Sequence, residues 1–483
     1  MQIREPLGGQ LEILSTDDVD RIHGATMEVL SRLGVRVWSP QVLKLFRGAG
    51  AEIDEETRMT RLPESLVKET VRRAPSEFVM HGRDPRYVLH YGGRRVHFSL
   101  AGQPVNVQDL EGNVRPGTLR DVENLARIAD SCENIHHLSR MTTPHEVPAE
   151  VHHLHTLWAL WRNSVKPTNG YNYGERRARE TIDMAAIVRG GHDALMREPF
   201  LMGITNPVSP MQLSKDLIEG AMVYARYRQP MVYAPEAISG VSAPATLAGL
   251  LVQQNAEVLA GIVVSQLVNP GTPVLYGTAS TVLDMRTGGA ALGGPEVGLL
   301  NLATAQLARY YHLPSRGTGG NTDSKVADIQ AGLESMMGVL LAALAGMNFI
   351  YDAAGSLEGS LTLSYEKLVV DDEVCAMISR ILSGIEVTDE TLAVDEIGKA
   401  GPAASHLGTP FTHRMFRREH FLPTLLDRRA REAWARQGGK DLAGVARERA
   451  RKILAEHAVE PLDAEVVRRV DEFLLEATKG NVA

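Results

Sequence analysis

Met231-Val232-Tyr233-Ala234-Pro235-Glu236 is followed, after a turn at Gly240, by a long helical stretch over residues 243–268 and a second apolar run, Pro273-Val274-Leu275-Tyr276-Gly277. Between Gln229 and Leu283 only Glu236 and Glu257 carry charge. A short, continuously apolar run reads as a strand buried on both faces, and strand, helix, strand in this order reads as one parallel crossover. A carboxylate at the mouth of such a strand is costly to desolvate, so Glu236 marks a site.

The same unit recurs along the chain. Candidate strands fall at 96–101, 136–141, 166–170, 200–205, 231–235, 273–277, 313–316 and 348–352. Helical stretches lie between and after them, at 119–130, 149–161, 177–188, 211–227, 243–268, 296–311, 326–345 and 365–382. Eight strand–helix units predict an α/β fold, a TIM (β/α)8 barrel, with a doubly wound open sheet as the rival. The chain of 483 residues exceeds the roughly 250 typical of that barrel. The surplus divides into a helical N-terminal region with a β-hairpin over 1–94, the barrel over 95–385 and a C-terminal helical extension over 386–483. The hairpin is expected where Tyr87–Tyr91 meets Arg95–His97 around Gly92-Gly93. The helical flanks are expected to cover barrel ends or to form subunit contacts in a homo-oligomer.

A net charge of −8 offers no excess positive field for nucleic acid or anionic lipid. The arginine-rich stretch 414–436 is interleaved with Glu419, Asp427 and Glu432, as on a solvated helix face. Cys132 and Cys375, the only cysteines, are too few for a disulfide framework or a thiolate metal site. With no signal-like apolar core at the start and no membrane-length run in 335–351, the expectation is a cytoplasmic protein without a membrane partner.

Chemistry in such a fold collects where the strands end, because the βα loops converge there. Those ends carry Gln103; Thr142 and Thr143; Asn169, Tyr171 and Tyr173; Asn206; Glu236; Thr278 and Ser280; Asn321, Asp323 and Ser324; and Tyr351 and Asp352. None is a histidine, so a metal-activated water is not expected, and no metal site is assigned. His152, His153 and His155 share a helix without the i, i+4 spacing of a ligand pair. The segment Gly317-Thr318-Gly319-Gly320-Asn321-Thr322-Asp323-Ser324-Lys325 lacks the spacing of both the Walker and the dinucleotide patterns. Its backbone N–H groups could still hold a carboxylate, or its glycines could simply supply positive φ.

Gly319-Gly320-Asn321-Thr322-Asp323-Ser324-Lys325-Val326, then Asp328 and Gln330-Ala331-Gly332, then Asn348-Phe349-Ile350-Tyr351-Asp352-Ala353-Ala354-Gly355 resemble motifs of the trimethylamine methyltransferase family. Tyr365 through Glu373, with Arg428 and Trp434 in the tail, add to the likeness. The resemblance implies a TIM barrel that passes a methyl group from an amine to the cobalt of a corrinoid. That cofactor would be presented as Co(I) by a separate small corrinoid-binding protein and not held tightly by this chain. With only standard residues, the sequence resembles the branch that lacks pyrrolysine, which implies glycine betaine, proline betaine, carnitine or a related methylated amine as substrate.

Such a reaction needs neither acid nor metal: attack on a methyl of a quaternary ammonium expels a neutral amine. The enzyme must align that methyl and strip water from the cation. Tyr171, Tyr173, Tyr233 and Tyr351 are the candidate cage, since aromatic faces attract cations. Glu236, Asp352 and Asn206 are the candidates to act on and orient the substrate, and the N–H groups of Gly319, Gly320 and Asn321 would receive its carboxylate. The rival readings are a non-catalytic binder of quaternary ammonium compounds and a barrel enzyme that uses no corrinoid.

Overall fold

In a computed structural model, which describes residues 5–482, seven parallel strands form one sheet. They are β1 (His97–Leu100), β2 (Thr168–Asn169), β3 (Leu201–Thr205), β4 (Met231–Tyr233), β5 (Val274–Gly277), β6 (Ser315–Thr318) and β7 (Phe349–Ala354), in the order β1-β7-β6-β5-β4-β3-β2. Helices α1 (Leu119–Ser131), α2 (His152–Asn163), α3 (Glu175–Arg189), α4 (Lys215–Arg226), α5 (Leu247–Val268), α6 (Pro295–Tyr310), α7 (Ile329–Ala345) and α8 (Tyr365–Leu382) alternate with them.

The expected eighth strand, 136–141, makes no ladder. It touches both edges of the sheet through single parallel bridges, Ser99 to His137, Gly102 to Met141 and Leu138 to Thr168. The backbone N–H groups of His136 and His137 both donate to the Phe98 carbonyl, which breaks the alternation a ladder requires, and Met141 sits at φ 56°. The sheet is a parallel half-barrel of seven strands, compatible with the expected barrel.

Alternation along each strand sorts its side chains between two faces. On the inner face Met202, Ile204, Val232, Leu275 and Phe349 pack against Phe78, Met80, Leu89 and Tyr91. These last four belong to an antiparallel hairpin, Glu77–His81 with Val88–Gly92, in which Glu77 pairs with Gly92. The expected pairing of Tyr87–Tyr91 with Arg95–His97 is therefore corrected. Gly92 and Gly93, at φ 127° and 57°, turn the chain out of this hairpin toward β1. His81 N–H donates to the Pro199 carbonyl and Arg83 N–H to that of Val165, so the hairpin closes the amino ends of the strands. Tyr91 stacks on Phe78 at 5.1 Å and its hydroxyl lies 3.0 Å from His137 Nδ1.

The outer faces meet the helices in the larger core. α5 is long and apolar enough to cross a membrane, yet 72% of its most apolar window is buried inside the protein, as befits a core helix. Its one charge, Glu257, accepts from Ser209 Oγ (2.7 Å), Met211 N–H (2.8 Å) and Gln253 Nε2 (2.9 Å), which fixes the loop after β3. Lys166, buried ahead of β2, donates to the carbonyls of Ala129, Cys132 and Ile135, satisfying the end of α1. At the N-terminus Ser15 and Asp18 form a capping box for the helix Thr16–Glu28. Near the C-terminus the helix Leu442–Glu456 packs on α8 and α1.

Candidate active site

The apolar filling of the inner face gives way to polar groups at the carboxyl ends of the strands. Parallel pairing of Arg316 with Phe349 and of Thr318 with Tyr351 puts Arg316 and Tyr351 on that inner face. The Arg316 guanidinium carbon lies 4.7 Å from the centre of the Tyr351 ring, and Nη1 donates to the Thr278 carbonyl. Burial pulls the Arg316 pKa down, while Asp352, Tyr351 and Glu236 oppose that shift.

Strict alternation would send Asp352 to the opposite face from Tyr351. The β1–β7 register shifts between Ile350 and Ala354, and Asp352 itself takes φ 56°. This bulge re-aims Asp352 toward the end of β1, where its Oδ1 accepts from Gly102 N–H (3.0 Å) and its Oδ2 from Asn321 Nδ2 (3.4 Å). A left-handed aspartate costs ~1–3 kcal/mol and persists only where its surroundings enforce it. Burial raises its pKa to about 6, against the opposing pull of Arg316. Gly102 is required here, because a Cβ would overlap the Tyr351 hydroxyl.

Across the mouth Asn206 Nδ2 donates to Glu236 Oε1, with Glu236 exposed and Asn206 half-buried. The structure thus brings together Asn206 with Glu236, and Asp352 with Asn321. Ser360 Oγ donates to Asn321 Oδ1 at 2.7 Å, so the Asn321 amide is held at both ends.

The four candidate tyrosines do not form one cage. Tyr351 and Tyr171 are buried at the mouth, but a guanidinium already lies against each ring, Arg316 on Tyr351 and Arg140 on Tyr171 at 5.1 Å. Tyr173 is 53% exposed on the loop beyond β2. Tyr233 faces the helices, and its hydroxyl lies 2.7 Å from Ser265 Oγ of α5. Since Val232 points inward, its neighbour must point outward.

Gly319 and Gly320 likewise differ from expectation. Their N–H groups donate to the carbonyls of Tyr351 (2.9 Å) and Asp352 (2.7 Å), so neither is free for a substrate carboxylate. Neither has positive φ; glycine is needed because a Cβ would strike Ile350 at one and the Ala353 carbonyl at the other. Their loop is anchored from beneath by Lys367, whose Nζ donates to Gly320 O (3.2 Å), Ser335 Oγ (2.8 Å) and Asp371 Oδ2 (2.6 Å).

Arg140, Arg316 and Gly102 escaped the reading of the sequence. The signal for Arg316 was the same as for Glu236, a charge within a buried parallel strand, and Arg140 closes segment 136–141 in the same way. His152 also reaches the site, with its ring 5.5 Å from Tyr171 and its pKa lowered to about 4 by burial.

The family model for trimethylamine methyltransferase (MTTB) matches residues 2–480. Glycine betaine methyltransferase of Desulfitobacterium hafniense strain Y51 is 37% identical over 469 residues, 97% of this chain and 97% of that protein. Trimethylamine methyltransferase MttB of Desulfitobacterium hafniense strain DSM 10664 / DCB-2 is 37% identical over 453 residues, 94% of this chain and 91% of that one. A crystal structure of Methanosarcina barkeri monomethylamine methyltransferase aligns over 94% of this chain and 96% of its own, at 11% identity and TM-score 0.48. Matched almost end to end by the family model and by relatives of 37% identity, the chain belongs to the trimethylamine methyltransferase (MTTB) family.

Proposed function

We propose that this methyltransferase moves a methyl group from a quaternary or tertiary methylamine, glycine betaine among the candidates, to the Co(I) corrinoid of a separate small protein. The observation that carries the reading is the solvent-open Glu236, braced by Asn206, facing the buried pair Arg316 and Asp352. In the same reading the seven-stranded sheet is a (β/α)8 barrel whose second stave, 136–141, is irregular, and the helical flanks mediate self-association.

A docked reduced corrinoid would supply the nucleophile for a methyl of a quaternary, or N-protonated tertiary, ammonium, whose nitrogen would keep the bonding pair and leave as the neutral amine. The chain's own part is to hold and dehydrate the cation. Glu236, fixed by Asn206, attracts the ammonium to the rim without donating a proton. Because positive charge leaves nitrogen as the bond breaks, an anion in water's reach is better suited than a tight buried contact, which would favour the ground state. Room for a protein-borne cofactor also fits the rim. Tyr173, Val208, Val241, Met285, Ile329 and Leu361 are exposed on the loops and the helix start that follow β2 to β7. Such apolar groups around a polar mouth suit the docking of another protein.

The test mixes purified protein, a corrinoid protein held as Co(I), and a panel of methylated amines. With at least one amine the absorbance of the reduced corrinoid should fall as that of its methylated form rises. Glu236→Gln should slow this roughly tenfold or more, each tenfold being about 1.4 kcal/mol of transition-state stabilisation. No transfer from any amine would defeat the reading.

A further inference from the structure

Two guanidinium groups converge on Tyr351 without a carboxylate partner. Arg316 is 2% exposed, and its Nε–H is buried with no acceptor. Arg140 is half-buried, lies over the Tyr171 ring, interacts with the Tyr351 hydroxyl, and has a buried Nε–H equally without acceptor. Among the described residues neither forms an ion pair within 4.0 Å. Asp352 and Glu236 act on Arg316 from farther away, and Asp352 spends its oxygens on Gly102 and Asn321.

A desolvated cation with an orphaned donor is expensive, and the planar fork of arginine matches a carboxylate edge-on. We propose that Arg316, assisted by Arg140, is the subsite for the anionic end of a zwitterionic methylated amine. The substrate enters carboxylate first and leaves its methylated nitrogen level with Asn206 and Glu236. This rests on the reading of the mouth as a methylated-amine site and names the substrate class within it. Depth sets the direction: Arg316 is buried, Arg140 half-buried and Glu236 open to solvent. A purely cationic amine would satisfy the outer group and leave the inner donors unmet. The same orientation presents a methyl to a visitor at the rim. It also supplies the carboxylate receptor that the N–H groups of Gly319 and Gly320 cannot.

Calorimetry with glycine betaine and choline tests this, because both carry the trimethylammonium head and only the first carries a carboxylate. The native protein should bind glycine betaine about tenfold or more tightly than choline. Arg316→Lys and Arg140→Met should each cut that preference by about fivefold or more while leaving choline affinity within about twofold. A purely structural role would weaken both ligands alike. Should Arg316→Lys not fold, Arg140→Met decides, being at a half-buried position. Acetate should compete weakly, since it lacks the cationic end. Equal binding of betaine and choline, a preference that survives substitution, or acetate as tight as betaine would each overturn the subsite and leave the methylated-amine reading standing. Binding and transfer failing for every ammonium compound, with or without a carboxylate, would remove that reading, and the subsite with it.

Discussion

Asp352 shows how one backbone angle changes a residue's chemistry. The bulge that turns it toward Gly102 also buries it, and burial holds its proton to about pH 6, against 3.8 for the free side chain. The native carboxyl is then neutral well below pH 3.8, as it is in the unfolded chain. As pH rises from about 4 through 6 the unfolded chain ionises first, and the native state loses stability by up to ~3 kcal/mol. Asp352→Asn, which stays neutral, should escape that loss. Thermal unfolding of both proteins across this range should show the native protein losing ground to the variant as pH rises, then a constant gap above about pH 7. A gap that does not move with pH would mean that the aspartate is not desolvated. The same residue marks a limit of sequence reading. Its place at a strand end was legible, but the bulge that aims it depends on pairing with β1, more than 240 positions away in the chain.

At the scale of elements, the loops that carry the site are fastened by buried polar groups whose partners are remote in sequence. Lys367 and Asp371, one turn apart on α8 and each with a side chain 2% exposed, hold Gly320 O on one side and Gly355 N–H on the other. Removing the lysine strands a carboxylate in the core. Lys367→Met should cost ~3–5 kcal/mol, and adding Asp371→Asn should recover part of it. Urea unfolding measures both, and a loss under about 1 kcal/mol for the single variant would show the pair to be dispensable. Period and breaker residues placed the helices well: 365–382 was read as it stands, and 119–130 differs by one residue from Leu119–Ser131. They failed at the hairpin, where Gly92-Gly93 was taken for the hairpin turn and instead ends its second strand. A pair of glycines signals a change of direction without saying which strand lies across it.

For the molecule as a whole, one end is closed by the hairpin of Phe78 and Tyr91, and the other carries charged and aromatic groups, with apolar side chains exposed on the loops that follow β2 to β7. The apolar runs sufficed to read seven of the ladder strands, because burial on both faces is written in consecutive residues. The site was legible only in part. Glu236, Asn206, Tyr171, Tyr351 and Asp352 lie where strand ends put them, whereas Tyr233 faces outward because its inward neighbour is Val232. Arg316 belongs to the mouth through inward alternation, which a sequence reveals only once the register is known, and Arg140 stands on a segment with no ladder, where alternation is no guide. Under the proposed function this chain hands a methyl from a cationic nitrogen to a corrinoid brought by another protein. The direct measurement is a single turnover with a trimethylammonium substrate carrying CD3 at all three N-methyl positions and a Co(I) corrinoid protein, with mass spectrometry of both products. The expected result is one CD3 on the corrinoid for each tertiary dimethylamino product released, dependent on this protein. Demethylated amine without label on the corrinoid, or labelled corrinoid formed equally well in its absence, would contradict it.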